Sequence, residues 1–539
     1  MKILPHIVLI ALLTGSAFFL LPNFSVAQQE VIELLEGSDN IRLDGKSGNY
    51  VITGNVIFEK DGAKLYCDSA YYNIVKEQVR AYSNVHLNKR DTLNMFCDSM
   101  FFDFSESYAK LWGNVRVRDN EYKLTTDSLD YDIEKDMGVY RNGGVITSIT
   151  SPDKLSSKIG YFYPKKEQFN FRKNVVYSSD IYKITTDTLQ FNGLSKKAYF
   201  FGPTHIDGDN GKMYSEKGWY NLNKDEGVLS QNAYIDRKDI YIAADSLFYS
   251  SEDSIYIAER NIMIKDTLNK LTFKGDYAMS DQKEHFAFIT GHALAEKYSK
   301  EDTLYIHADT LYNVLDSLNE AKLIRAYNEV TIFRGEMQGI CDSLTYQKTE
   351  GIINMFSEPI LWAKEAQLSG DTISVYELDG QIDKAFLRKK SIVVTRVVKT
   401  DYYNQVSGTS MTVSFDSTNI KRVDIEKNAK TLYFLEDESE SDTAIIVERK
   451  GMNRLYSSDI SLYFEKGDLS GATYRSEPDG VLYPMNQIEK SEERTEHFHW
   501  SPELRPLSPE FMILNLEEQS AIKLFLRTLF NTILEPHWK

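Results

Sequence analysis

The chain has 539 residues, 42% hydrophobic and 26% charged, with 29 Gly and 12 Pro, which excludes a collagen-like or wholly disordered chain. Its formal charge is −17, and no basic block interrupts it, so the electrostatic footprint of a nucleic-acid-binding protein is missing. With 34 Tyr and 28 Phe the composition leans towards strands. Three cysteines, Cys67, Cys97 and Cys341, are too few to staple a chain of this size and are expected as free thiols.

At the N-terminus, Lys2, a mostly apolar run from Ile7 to Leu21 and the small-x-small triplet Ser25-Val26-Ala27 read as a secretory signal peptide, residues 1–27, cut after Ala27. The run is short for the ~20 residues of a membrane span. The expectation is an exported protein, soluble or peripheral to a membrane.

Beyond residue 50 one tripeptide keeps returning. The copies are Cys67-Asp68-Ser69, Cys97-Asp98-Ser99, Thr126-Asp127-Ser128, Thr186-Asp187-Thr188, Ala244-Asp245-Ser246, Ala308-Asp309-Thr310 and Cys341-Asp342-Ser343, with degenerate ones at Ser157, Glu216, Asp276 and Asp371. They lie 29 to 33 residues apart. A second mark interleaves with them, as Gly54-Asn55-Val56, Asn84-Val85, Gly113-Asn114-Val115, Gly144-Val145, Asn174-Val175, Asn232, Asn261 and Asn328.

Each copy reads as strand. Three residues before the Asp the chain is apolar (Leu65, Met95, Leu124, Ile184, Ile242, Ile306), and so it is two residues after (Met100, Leu129, Leu189, Leu247, Leu311, Leu344). These offsets differ in parity, so the inward face changes at the Asp and each strand must bulge or bend there. Turn signals midway between the marks, such as Asp61-Gly62, make neighbouring strands antiparallel, with the bends stacked. The fold expected is all-β: a long antiparallel repeat solenoid of bent strands. Its polar spine runs through Asn55, Asp68, Asn84, Asp98, Asn114, Asp127, Asp187, Asp245, Asp309 and Asp342, with each carboxylate taking local backbone N–H bonds. The twelve apolar positions face inward. They form either a self-filled core or a groove for acyl chains, and periodicity does not separate the two.

Residues 376–486 read as further, less regular strands, with an acidic loop at Glu436 to Asp442. Residues 487–539 read as a charged linker followed by an amphipathic helix, roughly Leu516 to Leu534, expected to cap the last strands. Tyr50 to Phe58, apolar and free of Pro, is expected as an open edge that pairs with a partner strand or a second copy.

Signs of catalysis are few. The Asp-Ser pairs recur too evenly to be catalytic, and His497-x-His499 with Glu493 and Glu496 lies in the linker. Asp207 to Gly211 lacks the distal Glu of a calcium loop and reads as a turn. No phosphate loop, HExxH or nucleophile elbow is present. The reading is a protein that is not an enzyme, with no cofactor and no metal.

The recurring Gly-Asn-Val and (Ala/Thr/Cys)-Asp-Ser-Leu-x-Tyr marks resemble the organic-solvent-tolerance (OstA-like) family, most clearly from Gly54 to Tyr131 and more weakly to about Tyr376. That family includes the lipopolysaccharide transport protein LptA and the N-terminal domain of LptD. The resemblance implies a β-jelly-roll or β-taco fold, with residues 28–375 holding two or more tandem units. It also implies a periplasmic bridge in lipopolysaccharide transport to the outer membrane, whose interior carries lipid A acyl chains, with domains joined edge to edge to other Lpt-type envelope proteins. A scaffolding β-solenoid with a filled core is the alternative.

Overall fold

The computed structural model describes residues 32–513, apart from one to four residues between some strands. The signal peptide and the Leu516–Leu534 helix read from the sequence lie outside the described residues. Among the described residues there is no α-helix: antiparallel strands, tight turns and short 3-10 turns make up the fold. The described residues form two compact units, divided between Tyr256 and Ile257.

In the first unit, strands of eleven or twelve residues pair with their sequence neighbours, among them Asn49–Lys60, Ala63–Asn73, Gln78–Lys89, Leu93–Asp103, Tyr108–Arg118 and Tyr122–Asp132. Thr53 faces Ser69 and Val56 faces Cys67, so Gly54 and Asn55 stand opposite Asp68 alone. Ser83-Asn84 stand in the same way opposite Asp98, and Gly113-Asn114 opposite Asp127. The bend is therefore more specific than parity implied. The two-residue bulge belongs to the Asn-bearing strand, and the Asp is the single residue facing it. Both bulge residues are left-handed, with φ of 77° and 46° at Gly54 and Asn55 and 74° and 48° at Gly113 and Asn114. Gly and Asn recur because they tolerate that conformation best.

One copy is displaced by a residue from its expected place. Gly144 faces both Thr126 and Ser157, which puts Ser157 in the small-residue seat and Lys158 in the Asp seat. Here the bent strands break into Met137–Tyr140 with Gly144–Ser148, and Lys154–Ser157 with Ile159–Tyr163. Tyr140, 1% exposed, fills the crease, and a Cβ on Gly144 or Gly160 would lie 2.6 or 2.4 Å from its ring.

Tyr50 to Phe58 is not an open edge. On its second side it pairs with Asn40–Asp44 (Ile41 opposite Ile52) and with Glu33–Leu34 (Leu34 opposite Phe58). This added hairpin begins with a copy of the mark that the sequence reading missed: a Cβ on Gly54 would meet the Asp39 carboxylate at 2.0 Å, and the Asp39 N–H donates to Thr53 O at 2.9 Å.

The second unit continues the pattern from Leu271–Asp281 onward. Its last long hairpin, Asn419–Glu440 with Ile445–Glu465, absorbs the expected acidic loop: Glu436 to Glu440 extend the strand, paired with Ile445 to Arg449. The expected linker is also ordered against the sheet. A rung running Gln338, Trp362, Gln367, Val394, Gln405 and Leu432 is at most 4% exposed, and residues 493–505 cross it as a strap. Gln405 Nε2 donates to Glu493 O and its Oε1 accepts from Thr495 N, both at 2.8 Å. Gln367 does the same with His499 O and Ser501 N, at 3.0 and 2.9 Å, and Arg505 donates to Gln338 Oε1 at 2.7 Å. Successive strand residues point to opposite faces, so the next rung, Leu361-Leu368-Val393, faces away from the strap into the core.

Candidate functional site

The spine residues pair from strand to strand. Asn84 Nδ2 donates to Asp68 Oδ2 at 2.7 Å, Asn114 to Asp98 at 2.8 Å and Asn232 to Glu216 at 2.9 Å, while His292 meets Asp276 at 2.9 Å. The partner of each of these carboxylates is thus a side chain on the next strand rather than the local backbone N–H that was expected. Gly113 suits that seat, with its φ of 74°, and a Cβ there would lie 2.4 Å from Asp98 Oδ2, so the carboxylate would have to shift. Asp187 accepts from Thr188 at 3.1 Å, and Asp245, Asp309 and Asp342 hold the same single-residue seat in their own rungs. Within each unit these groups sit one to a strand at the bend.

Inside the bend the two sets of strand arms face each other. Of the twelve inward positions, Leu65, Met95, Met100, Leu124, Leu129, Ile184, Leu189, Leu247, Ile306, Leu311 and Leu344 are buried. Ile242 is half-buried, in a rung with Ile206, Met213 and Ile235 that is half-buried throughout. The first seven belong to one continuous core. Leu129, Leu111 and Val115 are 0% exposed, so most of this interior is filled by its own side chains.

At the mouth of the first unit the packing opens. A cavity of about 120 Å³ lies between Phe58, Leu65, Leu87 and Met95 on one set of arms and Phe102 and Tyr131 on the other. Lys60 and Lys89 stand at its rim. Lys60 Nζ lies 5.6 Å from the Phe104 ring centroid and Lys89 Nζ 6.0 Å from that of Tyr131, across the mouth. Each such pair is worth roughly 0.5–1 kcal/mol where exposed. Burial, reinforced by the hydrogen bond it donates to Asp136 at 2.7 Å, pushes the Tyr131 phenol well up, so it stays neutral. A cavity of about 150 Å³ accommodates benzene, so this mouth as it stands admits the tip of one acyl chain and not several. The two lysines were not singled out from the sequence. They sit beside turns, where charge is commonplace, and only the closure of the arms brings them over an apolar cavity.

The second unit closes its mouth differently. Lys297, Asp302 and Arg334 end one set of arms, and Tyr346 and Glu377 end the other. Glu377 bridges Arg334 Nη1 at 3.0 Å and Lys297 Nζ at 3.1 Å and accepts from the Tyr346 hydroxyl at 3.2 Å, while Arg334 Nε donates to Asp302 at 3.0 Å. Burial alone would lower the Lys297 pKa, but its bonds to Tyr346 and Glu377 outweigh that and raise it. Beneath lies a cavity of only about 20 Å³, lined by Leu304, Ile332, Met355 and Val375 among others. Among the described residues no cluster of three or more His, Cys, Asp or Glu forms a metal site. His497 is exposed and His499 half-buried, and they meet through a 3.1 Å contact from His499 Nδ1 to the His497 carbonyl.

No curated protein sequence matches the chain. Among solved structures it is similar to LptH, described as the LptA homologous periplasmic component of the conserved lipopolysaccharide transport device from Pseudomonas aeruginosa. That similarity is at 11% identity, over 20% of this chain and 75% of that one, with a TM-score of 0.18. The family model of the OstA-like protein matches residues 31–187. The matched stretch runs from the Glu33–Leu34 edge to the Asp187 copy of the repeat, and over it the chain is similar to the OstA-like family.

Proposed function

We propose that the protein carries acyl chains between the arms of its bent sheet, as a periplasmic, non-enzymatic component of lipopolysaccharide transport to the outer membrane. The observation that carries this reading is the mouth of the first unit, an apolar cavity rimmed by two lysines within the stretch similar to the OstA-like family. Apolar walls suit acyl chains and the cationic rim suits the phosphates of lipid A. The contacts across this mouth are weak, so the arms can part at modest cost. Parting is required, because the closed cavity is too small for several chains. Partners are other Lpt-type envelope proteins, joined through strand edges. The filled interior supports a second reading, a scaffolding β-solenoid without a lipid ligand.

Binding of fluorescent lipid A separates the two. Leu65→Phe narrows the cavity at an overpacking cost of about 1–3 kcal/mol, and Lys60→Glu with Lys89→Glu reverses the charge of its rim. Each variant is expected to bind lipid A at least tenfold more weakly while keeping its strand circular dichroism. Undiminished binding in both, or no binding by the native protein, favours the scaffold.

A further inference from the structure

The two mouths share a device. In each, a lysine from one lip lies over an aromatic ring of the other: Lys60 over Phe104 and Lys89 over Tyr131 in the first unit, Lys297 over Tyr346, at 4.9 Å, in the second. In the second unit a carboxylate joins the pair. Glu377, its side chain only 6% exposed, receives both Lys297 and Arg334, one on each oxygen, and takes the Tyr346 hydroxyl as well. Arg334 and Lys297 come from the opposite lip to Glu377, so this carboxylate, together with the bond that Lys297 Nζ donates to the Tyr346 hydroxyl at 2.5 Å, ties the mouth shut. Immediately below it the walls are aliphatic.

A carboxylate held by a guanidinium, an ammonium and a phenol is the environment that a phosphate or carboxylate headgroup requires. We infer that Lys297, Arg334 and Tyr346 form a binding site for the anionic headgroup of an acyl amphiphile, and that Glu377 occupies that site as an internal substitute which the ligand displaces. This rests on the acyl-carrier reading above and adds the place and chemistry of a second, gated site. Displacement replaces a tie fixed to the Glu377 strand by one through the mobile headgroup, and the chain enters between Leu304, Ile332, Met355 and Val375. Asp302 stays on Arg334, and the incoming anion takes the place of the Glu377 carboxylate at the two cations. An uncharged amphiphile offers nothing to replace Glu377 and leaves the mouth closed.

Photoreactive dodecyl phosphate, with the reactive group at the chain end, tests this when crosslinked positions are mapped by mass spectrometry on the full-length protein. Glu377→Gln removes the internal anion with little change of shape. It is expected to raise crosslinking at Leu304, Met355 and Val375 at least fivefold, leaving crosslinks at the first unit's cavity unchanged. Adding Arg334→Gln should abolish the gain, and a photoreactive dodecyl maltoside should show none. Inorganic phosphate at millimolar concentration should compete only weakly, because it has no chain. Equal gains for the charged and neutral probes, full competition by inorganic phosphate, or no gain at all would overturn the proposal. If Glu377→Gln loses its strand signal, Tyr346→Phe keeps every charge and still weakens the tie. Its expected gain is about twofold, for the phosphate probe only, and none would count against the site. Absence of crosslinks in both units with every probe would instead remove the acyl-carrier reading itself.

Discussion

At the scale of single residues, the bulge explains the repeat. Ser83 and Asn84 are both left-handed, with φ of 63° and 50°. An L-residue there costs roughly 1–2 kcal/mol, which Gly avoids and Asn tolerates. Asn114→Val should therefore destabilise by about 2–3 kcal/mol, strain plus a lost hydrogen bond. Asp98→Ala, losing only the exposed bond, should cost about 1 kcal/mol. Ser83→Gly should stabilise slightly. Equal losses for Asn114→Val and Asp98→Ala in urea titrations would show that strain does not set the pattern. The spacing and the change of inward face were legible in the sequence. Which strand bulges was not: parity placed the change of face at the Asp, whereas the extra residue stands opposite it on the Asn-bearing strand, for which the αL preference of Asn was a usable signal. Asp39 escaped because no Asp-Ser pair marks it. The buried thiols give a second test. Burial pushes Cys67 up to about 11 and Cys97 and Cys341 up to about 12, from 9.0. An acid with a raised folded pKa favours the fold while neutral. That contribution is complete below pH 9.0 and is lost as the pH climbs towards 11–12, because the unfolded chain ionises first. Iodoacetamide at pH 8 should modify none of the three in the native protein and all three in denaturant. Stability should fall progressively above pH 9.

At the scale of elements, the strap shows where composition misleads. Residues 487–496 are charged and read as linker, yet the strap is held through its backbone: Glu493 O, Thr495 N, His499 O and Ser501 N are the atoms the glutamines grip. Side-chain character says nothing about that. The matching signal lay in the strands, where Ile392-Val393-Val394 is buried on both faces and so needs a layer on each. Gln367 and Gln405, each 0% exposed, are polar groups that such a strand tolerates only when fully bonded. Gln367→Leu keeps the volume and removes the bidentate grip. A released strap regains water for its own N–H and C=O groups, so the expected loss is about 1–3 kcal/mol rather than a collapse of the sheet. Limited proteolysis reads this directly. Cleavage between residues 488 and 505 should accelerate in Gln367→Leu while the preceding strands remain protected. An unchanged cleavage rate would mean that the strap is held by its side chains, Phe498 and Trp500 against Tyr403, instead.

At the scale of the whole molecule, periodicity identified which side chains turn inward but not how closely the arms meet, since alternation carries no distance between two faces. That gap decides between a filled core and a groove, and the structure divides the answer: packed at Leu129, half-buried at Ile242. Neighbour-only pairing has a consequence for damage. Leu129 faces Leu111 in the ladder and neither is exposed. Leu129→Asp buries a carboxylate with no partner of opposite charge, a cost of several kcal/mol. In a globular core that penalty would be shared by every element. In a repeat array each strand contacts its neighbours, and the penalty stays with them. Hydrogen exchange on Leu129→Asp should lose protection in Leu93–Asp103, Tyr108–Arg118, Tyr122–Asp132 and Met137–Tyr140. Ile240–Ser250, more than a hundred residues away in sequence, should exchange as in the native protein. Uniform loss across both segments would mean that the first unit unfolds as one cooperative block. Its mouth could then not open without unfolding the rest, and acyl-chain uptake by parting of the arms would be untenable.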